Sequence, residues 1–364
     1  MLTRRVRKNS LPTARCLKLS WTPVVAASLL LGSVSAPSFA QTTPAVTVGG
    51  GVQTSFVHTE TDSADSTDTF PLNSVRLYIG GTAAPKIKFM FNTEYNGATN
   101  AVGVLDANAQ FEISPMFNVW VGRLIAPSDR ANLYGPYFAH HWATFQDGVQ
   151  DGYPFVAAGR SNGALYWGQF GKVKASIGAF DGASQTADDT VVGAARVQVD
   201  FWDQEAGYYL NGTYYGDKNL LALAGAVQWQ GSDKKAYNVD FLLERKVPGG
   251  GVYSVEAEWA KYDFLGGYSP DYGTDDGGYV LGSYMFPQMV GVGRFEVLGK
   301  FGKARFRDGL TLLNIDYDQK TSEVNLNYVI KQFNARVMLF YKDTRFDVVR
   351  ANTKQVGVGI QLQI

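Results

Sequence analysis

Polar and apolar residues alternate one by one in segment after segment of this chain. Between positions 105 and 113 the alternation has no fault, with Leu105, Ala107, Ala109, Phe111 and Ile113 separated by Asp106, Asn108, Gln110 and Glu112. The final residues repeat it, with Val356, Val358, Ile360, Leu362 and Ile364 separated by glycine and glutamine. Side chains of a β-strand point alternately to opposite faces, so the pattern predicts strands with one apolar and one polar side.

The connections between these strands are alternately short and long. Short turns are predicted at Pro85-Lys86, Pro115-Met116, Gly171-Lys172 and Pro287-Gln288, and longer polar segments lie between them. This order is typical of periplasmic turns and external loops in outer-membrane barrels. The count is sixteen strands if residues 203–219 form one long periplasmic connection, and the alternative is an additional hairpin that includes Tyr208 to Tyr215.

The apolar faces of so many strands need a place to be buried. A soluble sandwich normally uses roughly seven to nine strands, which is far fewer than this chain provides. Closing the sheet with its apolar face outward into lipid removes the edges and pairs every backbone group. We therefore predict an all-β fold, a transmembrane antiparallel β-barrel in the bacterial outer membrane.

The N-terminal 40 residues have the features of a cleaved secretory signal. A basic start is followed by an apolar stretch from Pro23 to Leu31 and by Ser38-Phe39-Ala40. The barrel is therefore predicted to comprise residues 41–364. Six of the 33 basic residues and none of the 33 acidic residues lie in the signal, so the remainder has a net charge of −6, which excludes a nucleic-acid partner. Cys16, the single cysteine, also lies in the signal, so no disulfide is expected.

The polar strand faces would line a water-filled lumen whose charges and loops decide what passes. The basic residues predicted to line it are Arg76, Lys88, Arg294, Lys300 and Arg336. The acidic residues predicted to share it are Glu94, Asp106, Glu112, Asp240, Glu256, Glu258, Glu296 and Glu323. The lumen is therefore expected to be mixed in sign.

We hypothesise that residues 128–153, the longest loop, form the constriction of this lumen. Its residues expected near the narrowest point are Asp129, Arg130, Tyr134, Tyr137, Asp147 and Asp151, and Arg123 flanks its start. His140 and His141 lie in the same segment, but adjacent side chains of an extended chain point to opposite sides. No nucleophile with a nearby base is visible. We expect no metal, no cofactor and no enzymatic activity.

Three segments give the chain a resemblance to a known family. Arg76-Leu77-Tyr78-Ile79-Gly80, Val121-Gly122-Arg123-Leu124-Ile125-Ala126-Pro127 and Tyr214-Tyr215-Gly216-Asp217-Lys218 resemble the phosphate-selective porin O/P family, in family order. The resemblance implies a sixteen-stranded outer-membrane channel, a homotrimer, and a third loop that narrows the pore. Two departures are the final residue Ile364, where family members commonly have an aromatic residue, and the small number of inward basic residues.

The favoured interpretation is a passive channel for small hydrophilic solutes or ions. The alternatives are a non-conducting structural or adhesive outer-membrane barrel and a soluble periplasmic protein that binds carbohydrate. Ion preference stays open, because the resemblance implies anions or phosphate whereas the net charge of −6 favours cations.

Overall fold

The computed structural model describes residues 45–62, 64–142, 159–181, 191–265, 272–308, 316–347 and 350–364. The predicted signal at residues 1–40 lies outside them. The described strands are β1 Val46–Thr61, β2 Thr67–Thr69, β3 Leu72–Ala84, β4 Ile87–Asn96, β5 Ala101–Ser114, β6 Phe117–Ile125, β7 Arg160–Phe170, β8 Val173–Phe180, β9 Val192–Asp200, β10 Leu220–Gln230, β11 Lys234–Lys246, β12 Val252–Asp263, β13 Tyr272–Val290, β14 Gly293–Asp308, β15 Tyr317–Lys331, β16 Ala335–Phe346 and β17 Thr353–Gln363.

All strands except the three-residue β2 form the wall of one closed barrel. Each wall strand pairs antiparallel with its sequence neighbour, and β1 closes the ring by pairing with both β3 and β17. The sixteen strands predicted from the alternation are therefore confirmed among the described residues. Residues 201–219 contain no strand, so the single long connection is confirmed over the additional hairpin.

The two faces of the wall differ as the alternation predicts. On β17, Val358 and Leu362 point outward and are 39% and 56% exposed, whereas Gln361 and Gln363 between and beside them are 0% and 8% exposed. This barrel is therefore apolar outside and polar inside, the reverse of a soluble protein and the arrangement that lipid requires.

One predicted turn is wrong. Pro287-Gln288 lies within β13, which continues to Val290, and the pairing with β14 shifts register between Met285 and Met289. Proline has no N–H to donate to a neighbouring strand, so it is accommodated at an irregularity instead of ending the strand. The turn follows at Gly291, whose φ of 63° lies in the left-handed region that glycine adopts without strain.

Helical structure in the described residues is confined to the connection between β6 and β7. It consists of α1 Arg130–Tyr134 and a 3₁₀ turn, Pro136–Phe138. No described helix has the length and apolar character needed to cross a membrane.

Candidate functional site

The connection after β6 enters the barrel, and we call its residues 126–142 the lumen loop. Asp129 begins α1 by accepting a hydrogen bond from the Asn132 amide at 2.7 Å, and Gly135, with φ of 64°, ends it. Nearly every side chain of the lumen loop is buried, and Asp129 and Arg130 are 0% exposed. Over residues 126–142 the chain therefore lies inside the barrel.

The lumen loop crosses the interior and is attached to strands around the barrel. Its hydrogen bonds to the wall join Tyr134 Oη to Glu256 of β12 (2.9 Å), Tyr137 Oη to the Ser74 carbonyl of β3 (3.1 Å), His140 Nε2 to Glu296 of β14 (2.5 Å), the Trp142 amide to Asn325 of β15 (3.1 Å) and Arg336 of β16 to the Ala139 carbonyl (2.6 Å). Strands β3 and β12 lie on opposite sides of the sixteen-strand ring. The loop therefore spans the lumen.

Two glycines of the wall make room for the aromatic rings of the lumen loop. A Cβ added at Gly51 of β1 would lie 2.5 Å from the Tyr137 ring, and one added at Gly359 of β17 would lie 2.5 Å from the Trp142 ring. Both distances are shorter than carbon atoms tolerate. Small residues on the lumen face thus mark where the loop packs.

A second segment, residues 201–219, fills the lumen from the end of the barrel that carries the short turns, and we call it the periplasmic insert. Tyr208 and Leu210 are buried. The Leu210 amide donates to the Leu133 carbonyl at 3.4 Å, the Tyr208 hydroxyl donates to the Ile125 carbonyl at 2.9 Å, and Tyr208 packs with Trp120 of β6. The periplasmic insert and the lumen loop therefore contact each other inside the barrel.

Buried charges join the two segments to the wall. Arg130 forms an ion pair with Glu205 of the periplasmic insert, with 3.0 Å between its Nη1 and Oε1, and lies 3.7 Å from Asp240 of β11. Arg196 of β9 donates to the same Asp240 at 2.8 Å, and Lys174 of β8 donates to the Glu205 carbonyl at 3.0 Å. The charges of Arg130, Arg196, Glu205 and Asp240 thus compensate one another across elements, and Lys174 is held by a backbone carbonyl.

The electrostatics of this cluster follow from burial opposed by pairing. Burial disfavours the charged form of Glu205, but the adjacent Arg130 guanidinium outweighs burial and lowers the pKa of Glu205. Asp129 has no such partner. Burial raises the pKa of Asp129 to about 7, and the negative charge of nearby Asp240 adds to the increase. The hydrogen bond from the Asn132 amide acts in the opposite direction and lowers the pKa, but it does not cancel the effect of burial.

The two adjacent histidines have opposite surroundings. Burial alone would lower the pKa of His140, but the Glu296 carboxylate outweighs burial and raises it. Burial and the nearby Lys300 ammonium, 3.4 Å away, lower the pKa of His141. Within the described ranges, no group of three or more histidine, cysteine or acidic side chains is placed to hold a metal ion.

The two segments leave open a cavity of about 500 Å³ along one side of the lumen, which we call the side passage. Thr47, Asn334 and Ile364 border it at the periplasmic end, and Arg160 borders it close to the start of β7 at the opposite end. Its long side is the inner surface of β3, β4 and β5, facing the lumen loop and the periplasmic insert. The side passage is thus bounded by both inserted segments and by the wall.

The predicted constriction residues of the described lumen loop, Asp129, Arg130, Tyr134 and Tyr137, are all buried inside the barrel, where they contact different elements. Asp147 and Asp151 lie outside the described residues. Of these four, Tyr134 lines the side passage, whereas Arg130 is enclosed by its ion pairs.

The predicted basic residues of the wall lie in three settings. Arg76, Lys300 and Arg336 are buried on the lumen face and contact the lumen loop, Arg76 with its guanidinium 4.7 Å above the Tyr137 ring. Lys88 lies near the periplasmic end of β4 and pairs with Glu112 at 2.5 Å. Arg294 lies on the lumen side of β14, close to the turn that precedes that strand.

Arg123 is placed differently from the other predicted basic residues. On β6 it alternates with Asn118 and Trp120, which are buried in the lumen, and shares the outward face with Val121, which is 45% exposed. Proximity to the loop in sequence therefore did not place the side chain in the lumen, because strand alternation decides the face.

Sequence reasoning predicted this connection but missed that it enters the lumen and brings Glu205 there, and it also missed the lumen role of Arg160. The sequence of this connection did contain an indication that it is buried. Tyr208, Tyr209 and Leu210 give this connection more apolar surface than a solvated turn needs, and the same segment was the basis of the alternative hairpin. Inside the barrel that surface is buried against the lumen loop and Trp120.

No protein-family model matches this chain, and no curated protein matches its sequence. Solved structures match its fold. An anion-selective porin from Comamonas acidovorans gives a TM-score of 0.56 at 16% identity, over 88% of this chain and 100% of that porin. OmpF of Salmonella typhi, in complex with daunomycin, gives a TM-score of 0.59 at 11% identity, over 88% of this chain and 97% of OmpF. OmpT of Vibrio cholerae, in a trimer form, gives a TM-score of 0.53 at 11% identity, over 88% of this chain and 99% of OmpT.

The chain has the fold of an outer-membrane porin. The predicted outer-membrane barrel is therefore confirmed. The resemblance to the phosphate-selective porin O/P family is supported at the level of this general porin fold.

Proposed function

We propose that this protein is a passive channel of the bacterial outer membrane for small hydrophilic solutes or ions. The observation that carries the proposal is the side passage, which extends along the inner wall beside the lumen loop and the periplasmic insert and has both polar and apolar residues in its lining. Diffusion through such a space requires no catalytic group, only a wetted wall and a defined width.

The two inserted segments together form the proposed constriction. The lumen loop occupies the middle of the barrel, and the periplasmic insert supports it from below through Glu205 and the Leu210 amide. Solutes are then confined to the side passage, where Arg76, Asp106 and Arg160 lie on the wall. Both signs of charge meet the solute.

A weak bias toward anions is part of the proposal. Arg76 and Arg160 line the side passage, which supports it, but each lies beside a carboxylate, Glu94 at 2.8 Å and Asp106 at 3.4 Å. Phosphate preference has less support, because few cationic groups line the same space. A homotrimer is also proposed, since OmpT of Vibrio cholerae has this fold in a trimer form.

A second candidate function is a non-conducting structural or adhesive barrel. The observation that favours it is the filling of the lumen by two segments, with buried ion pairs of Arg130 that attach them to each other and to the wall. The two functions differ in whether ions cross the barrel.

Single-channel recording in planar lipid bilayers separates the two functions. We expect stepwise conductance from the folded protein, identified by its heat-dependent gel mobility, and a reversal potential of anionic sign in a salt gradient. A control variant with residues 130–141 replaced by a short Gly/Ser linker should conduct several-fold more, because it lacks the constriction. Silence of both folded proteins would favour the structural barrel, and equal conductance would remove the constriction from the proposal.

A further inference from the structure

The side passage contains polar groups whose hydrogen-bonding capacity is unused. Arg76 is buried, with its side chain 6% exposed, and donates to Glu94 through Nε alone. Its two terminal nitrogens make no hydrogen bond within the described part of the chain, and the residue borders the side passage. A planar pair of charged donors at a cavity wall is suited to a carboxylate, which accepts two parallel hydrogen bonds.

A hydroxyl group lies on the same strand as Arg76. Tyr78 is two residues further along β3, on the same face, and also borders the side passage. Its buried hydroxyl has no hydrogen-bond partner among the described residues. A buried polar group without a partner is costly, and a ligand that supplies the missing partner removes that cost.

The surface next to these donors is apolar. Met90, Leu105 and Leu210 border the side passage, as does Tyr209, whose hydroxyl approaches only the Met90 sulfur, at 3.9 Å, among the described groups. The volume of about 500 Å³ is within the usual range of small-molecule sites. An inorganic anion would use the donors and leave this apolar surface in contact with water.

We propose that the side passage holds a binding site for a small organic monocarboxylate, with the carboxylate at Arg76 and Tyr78 and the apolar body against Tyr209 and Met90. The inference rests on the proposed channel function, of which it specifies the preferred solute class. Weak binding at this position raises the local concentration of such solutes inside the constriction.

Calorimetric titration of the folded, detergent-solubilised protein tests the site without requiring conduction. The probe is benzoate, compared with acetate, which lacks the apolar body, with benzyl alcohol, which lacks the charge, and with inorganic phosphate. We expect saturable benzoate binding at least about ten-fold tighter than each of the other three. Equal affinity for phosphate or acetate would overturn the role of the apolar surface, and equal affinity for benzyl alcohol would overturn the role of Arg76.

Two variants locate the site. Arg76→Gln should weaken benzoate binding by at least about ten-fold, because it removes a charged donor pair. Since that change also removes the partner of Glu94, Tyr78→Phe is the second variant, and it breaks no hydrogen bond among the described residues. It should weaken binding by about three- to ten-fold. Tyr253→Phe, on the outward face of β12, is the matched control and should bind as the unaltered protein does.

Recording in bilayers with added benzoate keeps the two proposals distinguishable. Benzoate should shorten the open times of the unaltered channel and have less effect on Tyr78→Phe. Benzoate binding by a protein that conducts no ions would support the site and overturn the channel. Conductance without benzoate binding or block would support the channel and overturn the site.

Discussion

The barrel wall and the two inserted segments bury their polar groups by different means. In the wall, backbone N–H and C=O groups pair between neighbouring strands, and side chains serve mainly to distinguish the lipid face from the lumen face. In the lumen loop and the periplasmic insert, side chains provide many of the attachments, such as the pair between Arg130 and Glu205. The wall therefore depends on a repeated pattern, whereas the inserts depend on individual residues.

This difference predicts where single substitutions act. A change in one insert should release that insert and leave the barrel closed, because the strand ladder does not include it. A change on the outer face of the wall should destabilise the whole barrel in lipid and leave the contacts inside the lumen unaltered.

The largest effect is expected from Arg130→Gln. Glu205 is 0% exposed and would lose its cation, and breaking a buried ion pair costs about 3–5 kcal/mol. The lumen loop and the periplasmic insert should separate more often. Hydrogen exchange measured by mass spectrometry should therefore become faster at the amides of Leu210 and Gly212, which donate to the lumen loop.

The double variant Arg130→Gln with Glu205→Gln is the matched control for this prediction. It removes both charges of the pair, so Glu205 no longer leaves a buried carboxylate without its cation, and most of the lost protection should be recovered. Unchanged exchange at both amides in the single variant, or equally fast exchange in the strands of the wall, would contradict the separation between wall and inserts.

A smaller effect is expected from Leu339→Arg on the outer wall. Leu339 lies near the middle of β16 and is 45% exposed on the lipid face. An arginine at the middle of the bilayer should lower the free energy of unfolding by about 2–4 kcal/mol, measured by urea titration in lipid vesicles.

Position along the strand provides the control for Leu339→Arg. Ile113 is also outward but lies at the end of β5, next to a turn, so Ile113→Arg should cost about 0–1 kcal/mol. Similar losses at both positions would argue against an outer face embedded in lipid.

The smallest expected effect is a change of single-channel current fluctuations with pH, caused by ionisation of Asp129. Because the pKa of Asp129 is raised from 3.8 to about 7 in the lumen, its contribution to docking of the lumen loop is fully present below its ordinary pKa. That contribution is lost as the pH rises toward about 7. Current fluctuations of single channels should therefore increase from pH 4 to pH 7.

Asp129→Asn isolates this effect from the two histidines. Asparagine keeps the helix cap but does not ionise, so the variant should lack the part of the increase that lies between pH 4 and pH 7. The contributions of His140 and His141 remain in both proteins. Superimposable pH profiles would mean that Asp129 does not control the loop.

The wall could be predicted residue by residue, and the candidate site only in part. Alternation placed Arg76, Lys300 and Arg336 on lumen faces, and the family resemblance implied that the loop after β6 narrows the pore. The same reasoning did not place Arg123, because nearness to a loop in sequence does not determine the face of a strand. It also placed a turn at Pro287, where a bulge absorbs the proline.

By itself, the sequence determined the barrel and the side of the wall on which each strand residue lies. The reason is local: in an extended backbone, the side chains of neighbouring residues such as Ile360 and Gln361 point to opposite faces of the sheet. Only the tertiary structure decided that Arg130 meets Glu205, 75 positions away, and that the space beside them lies along β3. Those contacts join residues that share no period or spacing, and they depend on the closed wall, which brings buried charges from distant parts of the chain next to one another.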